Sequence, residues 1–439
     1  MSTRKLMLIA CAALSVLLAG CARATRQANE TAAANTSTPA ADERPARPVR
    51  VSADGTDAAE PSLAPAPDKT VYVTWVEHRD NKEADVMLAH LGADGEMKGA
   101  PVRVNPNAGE ATAWRGDPPT IAVSAEGAVH VGWTARVASA QHANQLYLST
   151  SRDGGQTFEP PVKVNDDGKA VEHGMHSLAV GPDNRVYVVW LDERNVVKPP
   201  THSMEGGKQM KMEHMEANRE VFMASSSDGG RSFSTNIRIG QEACPCCKTA
   251  VTTGSDGHVF AGWRQVLPGE FRHIALAASA DGGQTFSSPK IVSDDRWMIA
   301  ACPVSGPALS VEAGGALRVV WYTEGEKGAP GLYWAESTDM GQTFSESRPL
   351  AEGEARGNPI LLAGGKGAAT VIWESNEGAS PRVMSARLGG DRPDASASPL
   401  TTSGELPAAA AAGGQLFVGY IAKTDDRRSI WIVRAKPAA

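Results

Sequence analysis

The chain has little cysteine, no long run of one charge and, past its first twenty residues, no long apolar stretch. Each scarcity excludes something. Lys+Arg 43 and Asp+Glu 50 give a net charge of −7 without forming blocks, so no basic patch marks a nucleic-acid partner. The main apolar run, Leu6 to Leu18, falls short of the ~20 residues a membrane-spanning helix needs. No nucleotide or organic cofactor is indicated. Of the six cysteines, Cys244, Cys246 and Cys247 crowd into "QEACPCCKT" (241–249), and only Cys11, Cys21 and Cys302 lie elsewhere.

What is present begins with the N-terminus. Arg4 and Lys5 precede the apolar run, and Ala19-Gly20-Cys21 follows it. A basic start, a short apolar core and small residues before a cut make a secretion signal. The segment "LAGC" resembles the bacterial lipobox. That resemblance implies removal of residues 1–20, with Cys11 among them, and membrane attachment through lipid on Cys21. With Ala22 rather than aspartate next, it implies a place in the bacterial cell envelope, on the outer membrane facing the periplasm. Residues 21–45, rich in Ala, Thr, Asn and Pro, read as a flexible tether. Residues 46–437 are ample for a large core. Four cysteines remain there, in an oxidising compartment.

That region repeats. "SRDGGQTF" (151–158), "SSDGGRSF" (226–233), "SADGGQTF" (279–286) and "STDMGQTF" (337–344) are nearly identical turn sequences. Asp and Ser side chains bond nearby backbone amides in such a turn, and Gly takes the positive φ. A strand ending in an aromatic also recurs: "VYVTW" to Trp75, "VHVGW" to Trp133, "VYVVW" to Trp190, "VFAGW" to Trp263, "LRVVW" to Trp321, "ATVIW" to Trp373 and "LFVGY" to Tyr420. Flanking strands make four per repeat, which predicts an all-β propeller of four-stranded blades. The count is seven, with six left open. The last repeat lacks a fourth strand, and "RPVRVSADG" near the start resembles one, so an N-terminal strand is expected to close the last blade and remove its free edges.

The four turns match the Asp-box of the bacterial neuraminidase repeat, and the chain resembles the sialidase superfamily. Members with six blades make a count of seven a departure. The resemblance places the Asp-boxes on the face opposite the ligand site, so they are read as structural. The other face, built from inter-blade connections and second-to-third strand loops, then carries the chemistry. Cys302 lies nineteen residues before Trp321, and Cys244 nineteen before Trp263, so they occupy equivalent positions on adjacent blades. The neighbouring "VEHGMHSL" offers His173 and His176. The longest spacing in the ring, 73 residues between Trp190 and Trp263 against 47–58 elsewhere, inserts a loop holding His202, Met204, Met210, Met212, His214 and Met215. Thiolate, thioether and imidazole together suit copper(I), and Cys with His alone suits zinc. Structural disulfides, Cys244–Cys302 among them, and a redox-active thiol pair are the alternatives.

Sialidase catalysis is a rival reading. The resemblance implies three arginines, a tyrosine–glutamate pair, an acidic residue and an Arg-Ile-Pro signature. That signature is missing; "PVRV" with Arg50 is the nearest segment. Arg115, Asp117, Arg264, Tyr322 and Arg356 are the available ligand-binding positions. "WLDERN" (190–195) resembles a motif of Asp-box proteins that are not sialidases, with Asp192 and Arg194 expected to pair at the rim. The sequence therefore predicts a lipid-anchored binding protein for a glycan or an extracytoplasmic protein, with a soft-metal or thiol site. An exo-sialidase-type hydrolase and a scaffold with disulfide staples are the alternatives.

Overall fold

A computed structural model describes residues 47–79, 83–112, 116–138, 140, 143–196, 218–299, 301, 303–353, 355–364, 367–389, 392–393, 397–424 and 426–436. The expected signal, the tether and Cys21 lie outside the described residues. All regular structure among those described is β, with no α-helix.

Each sequence repeat folds as an antiparallel sheet with its strands in chain order. Asp57–Pro65, Val71–His78, Ala84–Leu91 and Val102–Arg103 form the first, and Thr120–Val123, Val129–Arg136, Asn144–Ser151 and Val162–Lys163 the second. The third (His173–Val180, Val186–Asp192, Arg219–Ser226, Ile237–Ala243) and fourth (Ala250–Thr253, Val259–Leu267, Phe271–Ser279, Lys290–Ile291) are fused into one eight-stranded sheet. A single backbone bridge, Ala243 to Gln265, joins them. Ala308–Val311, Leu317–Thr323, Gly331–Ser337 and Arg348–Glu352 follow. Then come Ala355–Ala363, Ala368–Ser375 and Arg382–Gly389, the last edged by two short pieces, Arg392–Pro393 and Ser398–Pro399. The final sheet holds Glu405–Ala412, Gln415–Thr424 and Arg427–Ala435, completed by Val49–Arg50.

The second strand of each repeat reads as continuous apolar sequence because both of its faces are covered. Val186–Asp192 and Leu317–Thr323 are buried at every position. Trp75, Trp190, Trp263 and Trp321 are fully buried, and the indole N–H of three of them finds an acceptor: Asp192, Gln265 and Asp295 respectively for Trp190, Trp263 and Trp321. Apolar clusters sit between sheets, each shared by two chain neighbours: Tyr72 with Trp133, Leu146 with Trp190, Val189 with Trp263, Phe260 with Trp321, Val320 with Trp373 and Ile372 with Val418. A further cluster joins Phe417 and Ile430 of the last sheet to Ala59 and Trp75 of the first. The first strands likewise pack in succession, and Glu405–Ala412 returns to Asp57–Pro65. This is a propeller-like arrangement, with no bonded sheet running around it.

The Asp-boxes occupy third-to-fourth strand turns, as the sequence predicts. In 151–158 the Ser151 hydroxyl donates to Asp153 at 2.8 Å and accepts from the Gly155 N–H at 2.8 Å. Asp153 also accepts from the Thr157 N–H at 2.9 Å and its hydroxyl at 2.5 Å. The same bonds recur around Asp228, Asp281 and Asp339. The expected closing strand is also present: Val49 pairs with Ile432 and Arg50 with Trp431.

Candidate metal centre

The fused third and fourth sheets leave only residues 244–249 to cross from an outer strand to an inner one. The crossing is pinned at both ends. Cys244 N–H donates to the Arg264 carbonyl at 2.8 Å, and Thr249 donates to the Met175 carbonyl through its N–H at 3.0 Å and its hydroxyl at 2.9 Å. Between the pins, the Cys247 N–H reaches back to the Cys244 carbonyl at 3.4 Å, with Pro245 fixing φ inside the turn. The turn carries its thiols inward: Cys244, Cys246 and Cys247 are 1%, 5% and 1% exposed.

The three are free thiols whose sulfurs all lie within 4.8 Å of one another. Sγ of Cys244 is 3.4 Å from that of Cys247 and 3.7 Å from that of Cys246. A metal held at ~2.3 Å from each sulfur would space tetrahedral ligands by roughly 3.8 Å. The group has the right spacing and chemistry to hold a soft metal ion.

Its electrostatics are asymmetric. Hydrogen bonds from Cys246 and Cys247, helped by the charge of Arg264, hold the Cys244 thiol far below the ordinary thiol range against the effect of burial. Burial, with the adjacent Cys244, pushes the Cys247 thiol up. The surroundings thus favour the anionic form of Cys244 over that of Cys247. Arg264 is fully buried, its Nε donating to the Ser305 carbonyl at 2.7 Å and its Nη2 to the Tyr322 carbonyl at 2.9 Å. Its guanidinium lies 4.9 Å from the Trp297 ring, and its Nη1 has no hydrogen-bond partner. Neutral carbonyls do not compensate a buried cation, so the Cys244 thiolate is the anion that fits it.

Of the two histidines expected beside the cysteines, His173 is turned to other partners, and both ring nitrogens of His176 are buried without a hydrogen bond. His173 Nδ1 meets the Asn144 carbonyl at 2.8 Å, and Nε2 lies 3.0 Å from Asp167. It thereby joins a network in which Arg194 pairs with Asp192 at 2.8 Å and with Asp166 at 2.7 Å. The Asp192–Arg194 pair was expected at the rim; Asp192 is instead fully buried and also accepts from Trp190. His176 Nδ1 lies 3.3 Å from Asp117. Lys248, next to Cys247, has its amine lowered to about 8 by desolvation, with Asp117 pulling the other way.

The remaining candidates divide. Arg264 was expected as a ligand contact on the open face, but its burial and carbonyl bonds make it part of the centre's wall. Tyr322 is 6% exposed, donates to Glu324 at 2.8 Å and stands edge-on to Trp297. Arg356 is exposed, opposite Glu374 across a strand pair. Arg115, Cys302, Met204, Met210, Met212, His214 and Met215 lie outside the described residues, and with Cys302 so does the Cys244–Cys302 bridge. Sequence reasoning passed over Met175, between the two histidines, and Lys248, directly after the cysteines. Adjacency was the available signal for both.

No family model matches the chain, and no curated protein matches it. Several solved structures do. A protein of unknown function from Dyadobacter fermentans DSM 18053 is 15% identical with a TM-score of 0.51, covering 90% of this chain and 99% of that one. Polysaccharide lyase Uly1 is 12% identical at a TM-score of 0.51, covering 84% and 88%. A PL25 ulvan lyase bound to -[GlcA(1-4)Rha3S]- is 11% identical at a TM-score of 0.56, covering 89% and 96%. Sialidases and an arabinanase also align, at lower TM-scores. At these identities the likeness is one of fold.

Proposed function

We propose that this chain is a seven-bladed Asp-box propeller of the bacterial envelope, anchored through lipid on Cys21, that binds copper(I) on Cys244, Cys246 and Cys247. The observation that carries the metal reading is the convergence of three buried free thiols beside a buried guanidinium without a carboxylate partner among the described residues. A soft thiolate set favours copper(I) over harder ions. Metal binding to thiols displaces their protons, and Arg264 offsets part of the resulting negative charge. Apolar clusters that pass from each sheet to the next and return to the first support seven blades.

The test is copper(I) titration of reduced, full-length protein against a competing chromophoric chelator, with alkylation counting of protected thiols. One equivalent is expected to bind and protect all three, and Cys246→Ser with Cys247→Ser to abolish capture while circular dichroism stays unchanged. Native protein whose cysteines are all oxidised in pairs, and which takes up no copper(I) after reduction, refutes the reading in favour of disulfide staples.

The hydrolase reading draws on one feature, the Tyr322–Glu324 hydrogen bond at 2.8 Å. Turnover of a fluorogenic sialoside that disappears in Tyr322→Phe would support it. We expect no turnover, since Tyr322 is nearly inaccessible and Arg264 is committed to carbonyls.

A further inference from the structure

Cys244 and Cys247 stand at the two ends of one tight turn, with Pro245 and Cys246 between them. The Cys247 N–H donates to the Cys244 carbonyl at 3.4 Å, the bond that closes a four-residue turn. Such a turn holds its end Cα atoms within ~7 Å, the span a disulfide bridges. Pro245 takes the second position, where its fixed φ suits the turn. Sγ of Cys244 and Sγ of Cys247 are already 3.4 Å apart. Cys246 is a poorer partner for either. A bridge to Cys244 would span only Pro245, whose ring fixes the backbone, and a bridge to Cys247 would strain the peptide joining two adjacent residues. The turn is pinned at Cys244 N–H and at Thr249, not through its sulfurs, so side-chain rotation alone brings the end pair together. All three thiols are nearly enclosed. A protein disulfide cannot align with them for exchange, whereas a molecule the size of hydrogen peroxide can enter.

From this geometry we infer that hydrogen peroxide oxidises Cys244 and Cys247 to a disulfide, and that the bond closes the thiol centre to copper(I). The inference rests on the metal reading above and adds a regulator to it. One sulfur of the pair attacks the peroxide and the O–O bond breaks, leaving a sulfenic acid and one water. The other thiol then displaces the sulfenic oxygen as a second water, and the S–S bond forms. Two electrons leave the thiol pair, and one peroxide becomes two waters. Cys246 is left as a single thiol, because the metal ligand is a thiolate and a disulfide offers none. Reduction of the bond restores all three donors. The centre thus takes up copper(I) only in its reduced form.

The experiment treats full-length, reduced, metal-free protein with one equivalent of hydrogen peroxide under anaerobic conditions. Differential alkylation and peptide mass spectrometry then map the cysteines. A Cys244–Cys247 bond is expected, with Cys246 alkylated once the protein is unfolded. Copper(I) affinity, measured by chelator competition, should fall by about a hundredfold or more, since two of three ligands are lost, and return after reduction with a dithiol. Cys246→Ser should form the same bond, with circular dichroism as the folding control. A different bridge, or none, in a protein whose reduced form binds copper(I) overturns the assignment and leaves the three-thiol reading intact. So does an oxidised protein that keeps its copper(I) affinity. Reduced protein that forms the bond yet binds no copper(I) overturns the metal reading and the gate with it.

Discussion

Arg428 grips Asp57 at two points, Nε to Oδ1 at 2.8 Å and Nη2 to Oδ2 at 2.6 Å, across 371 residues of sequence. The pair ties the last strand of the chain to the first strand of the first sheet, at the seam where the order of sheets returns to its start. Arg428 is 7% exposed at its side chain and Asp57 26%. Removing one partner therefore costs less than the ~3–5 kcal/mol of a fully buried pair. Asp57→Ala is expected to lower unfolding free energy by about 2 kcal/mol in urea titrations. A loss below about 0.5 kcal/mol would mean that the seam is held by its apolar cluster alone.

Arg264→Gln should weaken copper(I) and zinc together, because it removes charge compensation rather than a ligand. Parallel competition titrations check it, with circular dichroism as the folding control. Unchanged binding of both ions would show that the guanidinium serves only its carbonyl partners.

His130 makes stability fall with acid. Desolvation, aided by repulsion from Arg152, lowers its pKa from 6.5 to about 4. The folded state keeps the ring neutral while the unfolded chain takes up a proton, so stability is full above pH 6.5 and declines as pH drops towards 4. The decline is at most about 3 kcal/mol. Urea midpoints at pH 7 and pH 5 should differ more in wild type than in His130→Asn; equal differences would assign the slope to other groups.

Gly230→Ala tests how an Asp-box leans on its neighbour. Its φ is +87°, and an added Cβ would lie 2.8 Å from both Leu148 Cδ2 and Thr150 Oγ1. Gly257 has a similar φ of +84° but nothing within 4 Å. Gly257→Ala should cost only backbone strain, about 1 kcal/mol, and Gly230→Ala about 2–3 kcal/mol. Equal midpoints for the two variants would show that the contact relaxes freely.

Cys21→Ser should move the protein from the membrane to the soluble fraction, measured after a high-salt wash. Retention on the membrane would remove the lipid anchor from the proposal.

The local features were legible, and so was the closing strand, because its sequence repeats that of another fourth strand; the contacts around the candidate site were not. An Asp-box is written into eight consecutive residues, so its turn follows from short-range hydrogen bonding. The crowding of Cys244, Cys246 and Cys247 is equally visible, because they fall within four consecutive residues whatever the tertiary fold. "VEHGMHSL" misled because His173 draws its partners from elsewhere: Asn144 lies 29 residues away, on the second sheet. Alternation along a regular strand places Met175 on the same side as His173. The bulge and positive φ break that rule, and no propensity announces them. Arg264 was read as an open-face residue because it follows Trp263 at a strand end. Its burial depends on carbonyls of Ser305 and Tyr322, 41 and 58 residues further on.

The pairing of Val49 and Arg50 with Ile432 and Trp431 also sets an order in time. Val49–Arg50 is made long before it can be seated, since its partner strand, Arg427–Ala435, emerges much later. At ~5–20 residues per second, that wait is roughly 20–80 s. A chain that stopped short of Trp431 would lose more than its own end, because the beginning would have nowhere to dock. Damage to either strand is thus felt at the other, because each covers the other's edge.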